Sequence, residues 1–525
     1  MGISSEASPL LLSSPSPLSS RRHRRPSFET GFPLVLSEEA VVPTIVKHPN
    51  PVVDDPQVAT TAAASPCQWL GRNCAVAFTL LMSAIGAGTL AVPYTFVLLS
   101  PVQAMLVLIC VGLAMAFTAD TLVDVHVTVA LDSVSGLQES RETYQHLALR
   151  AGGKPLARLT GALTAFAVFG ACVGCVRVVK DMAPMILSAV TTGFNQRTPE
   201  EQQHDVVVAV WVVVLMVVLP LGCLTKISAL RFSSYLGVVF SVYLVVAVAY
   251  RAAVGGGEIG DIYRDAFPAA QEKKSSLFWR VSEVVGIYNF TFMLHLNVIP
   301  LLAQLVASET ALRSGQHGRD IEELGSTESP VAVHLLRAAG RSMRRYLGVA
   351  VGACVLLYAI FGICAAKIYG SNTQGNILLN LSHDPIMAVP RLAVLLTILL
   401  SFPLLFHPLR SLVLEMYDTF FSRDKNEMEE QDEGPSRIAQ AVVTVFLVVA
   451  QILCALRVPG LQVVFSFVGA SILLMLCYLF PLIFYVRLSS WSSSRNGKTR
   501  LIFLVLVAVF ATIFCVAATI QLIFP

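Results

Sequence analysis

Two short stretches concentrate the residue types that could handle a small polar solute in an otherwise apolar chain. The first, SAIGAGTLAVPY, runs from Ser83 to Tyr94, sets Gly86, Ala87 and Gly88 side by side, and adds Pro93 soon after. Glycine tolerates non-helical dihedrals and lets another group approach the main chain. Pro93 falls early in any helix that resumes, where a missing N–H costs least. The second, YNFTFMLHLNVIP, runs from Tyr288 to Pro300 and carries Asn289, Thr291, His295 and Asn297. An unwound main chain offers N–H groups to an anion and carbonyls to a cation. This is the chemistry of binding and release. No nucleophile elbow, phosphate loop or metal-ligand set occurs, so an enzyme is not expected, nor a cofactor, a metal or a nucleic-acid partner.

The elements that must hold these stretches are membrane helices. The chain of 525 residues is 55% apolar and 14% charged, against roughly 25% charged in soluble domains. Its apolar blocks approach or exceed the ~20 residues that cross a bilayer. Eleven spans are predicted, near 73–98, 101–128, 157–187, 205–224, 233–254, 280–306, 346–368, 385–406, 438–456, 460–486 and 501–524. The fold class is an all-α polytopic membrane protein. In hydrocarbon, a break in a helix is tolerated only beside protein or a wet cavity. Taken alone, SAIGAGTLAVPY reads equally well as small residues for close helix packing or as such a break. The polar residues of span six, expensive at membrane depth, favour the break. Interrupted first and sixth spans fit an inverted repeat of five plus five helices with an eleventh appended. The chain then divides into a disordered 1–72 tail, a first repeat at 73–254 and a non-cytosolic loop at 255–279. A second repeat at 280–486 and a cytosolic loop with the eleventh helix at 487–525 complete it.

With the N-terminus in the cytosol, 26 of the 37 Lys and Arg fall on the cytosolic side, which sets an N-in, C-out topology. The Asn380-Leu-Ser382 sequon then lies outside and is the expected glycosylation site; Asn289-Phe-Thr291 matches the pattern within a span and is not. Cys172 and Cys175 read as two small thiols on one helix face rather than a metal or redox pair. No signal peptide or myristoylation signal is expected. EASPLL, Glu6 to Leu11, is similar to the acidic dileucine signal that sorting adaptors read, and equally fits ordinary tail sequence.

The order of several stretches resembles the amino acid/auxin permease family. SAIGAGTLAVPYTF resembles its first-helix signature, PLGCLTKISALRFSSYLG (220–237) its fourth-to-fifth turn, and FTFMLHLNVIPLLAQL (290–305) its sixth helix. YAIFGICAAKIYGSNTQGNILLNL (358–381), RLAVLLTILLSFPLLFHPLR (391–410) and VPGLQVVFSFVGA (458–470) resemble helices seven, eight and nine to ten. The resemblance implies a LeuT-like fold with helices 1 and 6 discontinuous, and secondary transport of an amino acid across the lipid bilayer. It implies that Gly86, Ala87, Gly88 and Thr89 hold the substrate carboxylate, and that Asn289, Phe290 and Thr291 face the ammonium. Cys175 stands where the family often has a Tyr, which enlarges or retunes the pocket. Sodium-coupled relatives carry an Asn where this chain has Met82, a poor ligand for a hard cation; Thr397 and Ser401 alone make a weak sodium site. Proton coupling or exchange is therefore expected rather than sodium coupling.

His295 matches the family's helix-six His and is either the proton sensor or a neutral, hydrogen-bonded pin. Arg177, Lys180 and Asp181 either pair or snorkel at the far surface, or charge the pocket. The competing reading is a sensor whose amino acid occupancy is relayed by the cytosolic tail. Both a lysosomal or vacuolar membrane and the plasma membrane fit.

Overall fold

The computed structural model describes residues 76–134, 143–222, 231–254, 276–316, 330–421 and 437–524. The 1–72 tail, including Glu6 to Leu11, and most of the 255–279 loop lie outside the described residues. In chain order the spans are α1a (Val76–Ala84) with α1b (Ala87–Leu98), α2 (Pro101–Val134), α3 (Tyr144–Val190), α4 (Pro199–Val218) and α5 (Arg231–Val254). They continue as α6a (Leu277–Thr291) with α6b (His295–Gln316), α7 (Pro330–Tyr369), α8 (Ala388–Phe421), α9 (Arg437–Arg457), α10 (Leu461–Leu488) and α11 (Arg495–Ile523). Ten of these helices are long and apolar enough to cross a membrane, and the bent pair α1a and α1b, 46° apart, makes an eleventh.

Burial orders the spans. In α6, 89% of the most apolar window is buried, and in α3 78%, whereas α4 buries 22% of its window. Polar residues within α6 and small ones within α3 (Gly161, Gly170, Ala171, Gly174) therefore sit at the centre, and valine-rich α4 faces outward. A Cβ on Gly174 would press on the Phe465 ring, so α3 can lie against α10 only with glycine there. Several helices run past their apolar blocks. α7 starts at Pro330 rather than near 346, because its first turns carry Arg337, Arg341 and Arg344, which hydropathy excludes and a helix accepts. α3 likewise begins at Tyr144, capped by Thr143, and bends at Gly152 and Gly153, whose φ of 70° is left-handed; the membrane-crossing part follows the bend, as expected.

Contacts between helix ends show that the odd-numbered helices start at one end of the bundle, called here the near end. There Arg344 in the first half of α7 and Arg500 at the start of α11 meet Asp120 and Asp124 in the second half of α2, at 2.6–3.2 Å. Arg500 also lies over the rings of Phe117 and Tyr485. At the far end cations meet the last carbonyls of odd helices. Arg177 donates to Val458 O and Pro459 O (3.0 Å each), Lys180 to Leu456 O (2.7 Å) and Lys367 to Ala252 O (3.1 Å). Helix C-termini carry partial negative charge and unpaired carbonyls, so these cations cap α9 and α5. Arg177 also pairs with Asp181 at 2.9 Å, and none of Arg177, Lys180 and Asp181 lines the central cavity. The pairing alternative holds, and the pocket-charge alternative does not.

The far-end connection between α7 and α8 corrects one expectation. Asn380, taken from its sequon as a glycosylation site, is 1% exposed. Its Oδ1 accepts from Gln374 N at 2.8 Å and its Nδ2 donates to Asn372 O at 3.0 Å. The amide nitrogen that would carry a glycan is instead a buried donor that shapes the turn.

Candidate functional site

Both predicted interruptions are breaks in the main chain, and they meet at mid-bundle. In the first, Gly86 is extended (φ −135°, ψ −156°), after which a tight 3₁₀ turn (Ala87–Ala91) leads into the rest of α1b with Pro93 in its first turn. Among the described residues, the N–H groups of Ala87 and Gly88 have no hydrogen-bond partner, whereas Thr89 N bonds back to Gly86 O at 3.1 Å. Freed carbonyls of α1a are partly taken up: Tyr358 of α7 donates to Ala84 O at 2.9 Å. In the second break, Phe292, Met293 and Leu294 leave the helix between Thr291 and His295. The resumption at His295, rather than near Phe292, is a shift of one turn from the expected start.

Gly88 makes the meeting possible. A Cβ there would stand 3.2 Å from Phe290 Cδ1, Thr291 Cα and Thr291 Oγ1, so the two chains touch through the missing side chain. At Gly86 a Cβ would meet nothing within 4 Å, because that face opens on a cavity.

The cavity measures about 130 Å³, close to the ~150 Å³ of an engineered cavity that holds one benzene. It therefore suits one small molecule. Gly86, Ala87, Gly88 and Thr89 form one wall, and Phe290 and Thr291 the facing one. Cys175 of α3 and Thr397 and Ser401 of α8 complete the ring. Phe290 is held by a stack on Phe465 of α10, with centroids 4.3 Å apart and planes 12° apart. Among the described residues, no Asp, Glu, Lys, Arg or His lines the cavity. Among the described residues Asn297 Oδ1 is buried with no hydrogen-bond partner, and Thr89 Oγ1 is buried beside the Tyr358 hydroxyl.

Two predicted side chains point elsewhere. Asn289 is fully buried behind Phe290 and does not line the cavity. Its Oδ1 accepts from the Tyr478 hydroxyl at 2.8 Å, and its Nδ2 donates to Gly469 O and Cys515 Sγ at 3.3 Å. The expectation that it faces an ammonium is corrected: at the end of α6a the helical turn sends residue 289 toward α10 and α11 and residues 290 and 291 toward α1. His295 also lies off the cavity, with Nε2 2.9 Å from Thr118 Oγ1 of α2. This is the geometry of the pin.

Sequence reasoning missed the α5 wall, where Gly237, Ser241 and Leu244 line the cavity. A signal existed: Gly237 and Ser241 are a small pair at i, i+4, which marks a face of close approach. Asn297, noted as polar at depth, lines the cavity too, from the first turn of α6b.

An all-helical bundle with two broken spans converging on an uncharged cavity for one small molecule is the architecture of a membrane transporter, not an enzyme. The family model described as "Transmembrane amino acid transporter protein" matches residues 72–312 and 336–524, and the chain belongs to that family. Among curated proteins, sodium-coupled neutral amino acid transporter 7 of Xenopus laevis is 25% identical over 346 residues, covering 65% of this chain and 66% of that one. Vacuolar amino acid transporter 6 of Saccharomyces cerevisiae is 22% identical over 444 residues, covering 78% and 88% respectively. Among solved structures, MhsT in complex with L-phenylalanine aligns over 85% of this chain and 98% of its own, with TM-score 0.46 and 11% identity.

Proposed function

We propose that the protein carries one neutral amino acid at a time across its membrane by alternating access around the cavity between the two breaks. The observation that carries this is the pairing of unpartnered N–H groups at Ala87 and Gly88 with a lining free of charged side chains. A helix start with free N–H groups holds a carboxylate without a cation. The ammonium goes to carbonyls released at the end of α1a and to acceptors such as Thr89 Oγ1 and Asn297 Oδ1. A charged substrate side chain would find no counter-charge and would be desolvated at a cost of several kcal/mol. Gly86–Thr89, Phe290, Thr291 and Cys175 are the substrate contacts in this reading.

The coupling ion in this reading is a proton, with exchange as the sodium-free variant. Met82 stands in the cavity wall, and a thioether is a poor partner for sodium; Thr397 and Ser401 provide hydroxyls only. The printed names of relatives include both sodium-coupled and vacuolar transporters, so the ion must be decided on this chain. One net charge moving down ~100 mV releases about 2.3 kcal/mol, which supports roughly fifty-fold accumulation. The 26-of-37 bias of Lys and Arg supports a cytosolic near end.

The test is flux in proteoliposomes with labelled alanine, serine, glutamine, leucine, phenylalanine, lysine and glutamate. Measurements are made at two pH values, with sodium or choline outside. Uptake of neutral members that is faster in acid and indifferent to sodium is the expected result. Uptake that stops in choline sinks the proton reading, and binding without flux makes the protein a sensor. Where the protein resides is read from a tagged chain with Leu10 and Leu11 replaced; a changed location is expected if EASPLL is a sorting signal.

A further inference from the structure

We infer that Asn289 is a positioning residue for the cavity-lining pair that follows it, and that the eleventh helix takes part in transport through its bond to that side chain. The inference rests on the reading that the two breaks form the solute site. Every polar atom of the Asn289 amide is engaged: Oδ1 by Tyr478 of α10 (2.8 Å), Nδ2 by Gly469 O of α10 and Cys515 Sγ of α11 (3.3 Å each). Asn289, Tyr478 and Cys515 are each at most 2% exposed. An amide buried this deeply costs free energy unless satisfied, and one with all its bonds made selects a single arrangement of the helices around it.

Two further links join α6a to α10: Ser466 Oγ donates to Glu283 O at 3.3 Å, and Phe290 stacks on Phe465. α6a and α10 touch main chain to main chain: a Cβ on Gly469 would strike Gly286 O and crowd Phe290 N. A Cβ on Gly286 would come within 2.8 Å of Ser466 O and Oγ. Such contact resists separation, and any slide of α6a along α10 would displace Phe290 and Thr291 with it. The Asn289 amide, with three bonds among fully buried groups, is the most specific of these links and fixes the register. Tyr478 meets it from a π turn (Met475–Leu479) in α10, whose Leu476 carbonyl is taken by the Tyr144 hydroxyl at 2.5 Å. Irregular turns of this kind re-aim a side chain.

α11 lies outside the two five-helix repeats, yet polar bonds fasten it both at mid-bundle and at the near end. Cys515 accepts from Asn289 at mid-bundle, and Arg500, roughly four helical turns earlier, binds Asp120 and Asp124 of α2 at 2.6 and 3.2 Å. It is a strut between the near end of α2 and the break in α6, with α10 alongside.

The test uses the full chain in proteoliposomes and whichever of labelled alanine, serine, glutamine, leucine or phenylalanine the unmodified protein takes up fastest. Tyr478→Phe, which removes one oxygen atom, and Asn289→Leu are each expected to raise KM roughly tenfold with maximal rate little changed, the signature of misplaced ground-state contacts. Combining the two should do no more than Asn289→Leu alone, because that substitution already removes the bond that Tyr478→Phe breaks. Cys515→Val should raise KM about threefold, and Cys515→Ser, which keeps an acceptor, should not. A wild-type KM in Tyr478→Phe, or effects that multiply in the double variant, overturns the inference. Should Asn289→Leu fail to reach the membrane, Tyr478→Phe and the two Cys515 variants decide alone. Gly86→Val separates the two levels of argument: normal uptake removes the site and this inference together. Its loss of uptake, beside an unchanged Tyr478→Phe, removes only the positioning role.

Discussion

The two breaks are built in opposite ways. The α1 break presents main chain: Gly86 has open space where a side chain would be, Tyr358 holds the Ala84 carbonyl before it, and among the described residues the N–H groups of Ala87 and Gly88 have no partner. The α6 break is bolted by side chains on both flanks, Asn289 to α10 and α11 before it and His295 to α2 after it. Its Phe292 and Leu294 are fully buried. One break presents a surface and the other holds a wall still against it. In the proposed function, such a site would read the invariant part of an amino acid with backbone, whose geometry no rotamer change can blur, and leave the variable part to Phe290, Thr291 and Cys175.

That contrast can be broken most sharply at the glycines. Gly86→Val should cut uptake by ~100-fold or more, the scale of a displaced reactant, while the melting temperature stays within about 2 °C because the added atoms enter open space. Parallel flux and thermal-unfolding measurements check this, and a large fall in stability would show that Gly86 is packed after all. Gly88→Ala should lose about tenfold in uptake and also stability, by roughly 1–3 kcal/mol, since its Cβ meets the Thr291 main chain, which cannot yield. The pair thus distinguishes a glycine kept for a ligand from one kept for a neighbouring helix.

On the α6 side the effects should be smaller. Phe290→Leu forfeits the stack on Phe465, worth about 0.5–1.5 kcal/mol, and should raise KM several-fold with a changed order of preferred amino acids in the flux panel. His295→Gln keeps a hydrogen-bonding partner for Thr118 and should shift the pH dependence of uptake least of all. A displaced pH profile would return His295 to the coupling machinery and remove its role as a pin.

The breaks were legible because the same residues that cannot finish a helix in lipid also announce themselves there: Gly86, Gly88 and Pro93 on one side, and four polar residues in thirteen on the other. Facing was not. Asn289 and Thr291 are equally polar and two positions apart, yet a helix turns ~200° between them, and only the positions of α10 and α11 decide which of them meets the cavity. The same holds for α5, whose Gly237 and Ser241 reveal a face but not its partner.

The far-end charges teach the complementary lesson. Counting cations predicted a topology and left those on the minority side unexplained. The folded chain uses Arg177, Lys180 and Lys367 to cap helices distant in sequence. Asn380 shows the limit of a local pattern, since its sequon is three residues long while its burial depends on a whole connection.

What the chain determined by itself was the list of helices, their order and the two places where they must fail. Hydropathy, glycine freedom and the cost of an unpaired peptide group are local properties that act on any such segment. What only the tertiary structure decided was which side chain at each failure faces solute and which faces protein. That choice is made by the helices packed against the break, and by the rule that every buried donor must find an acceptor.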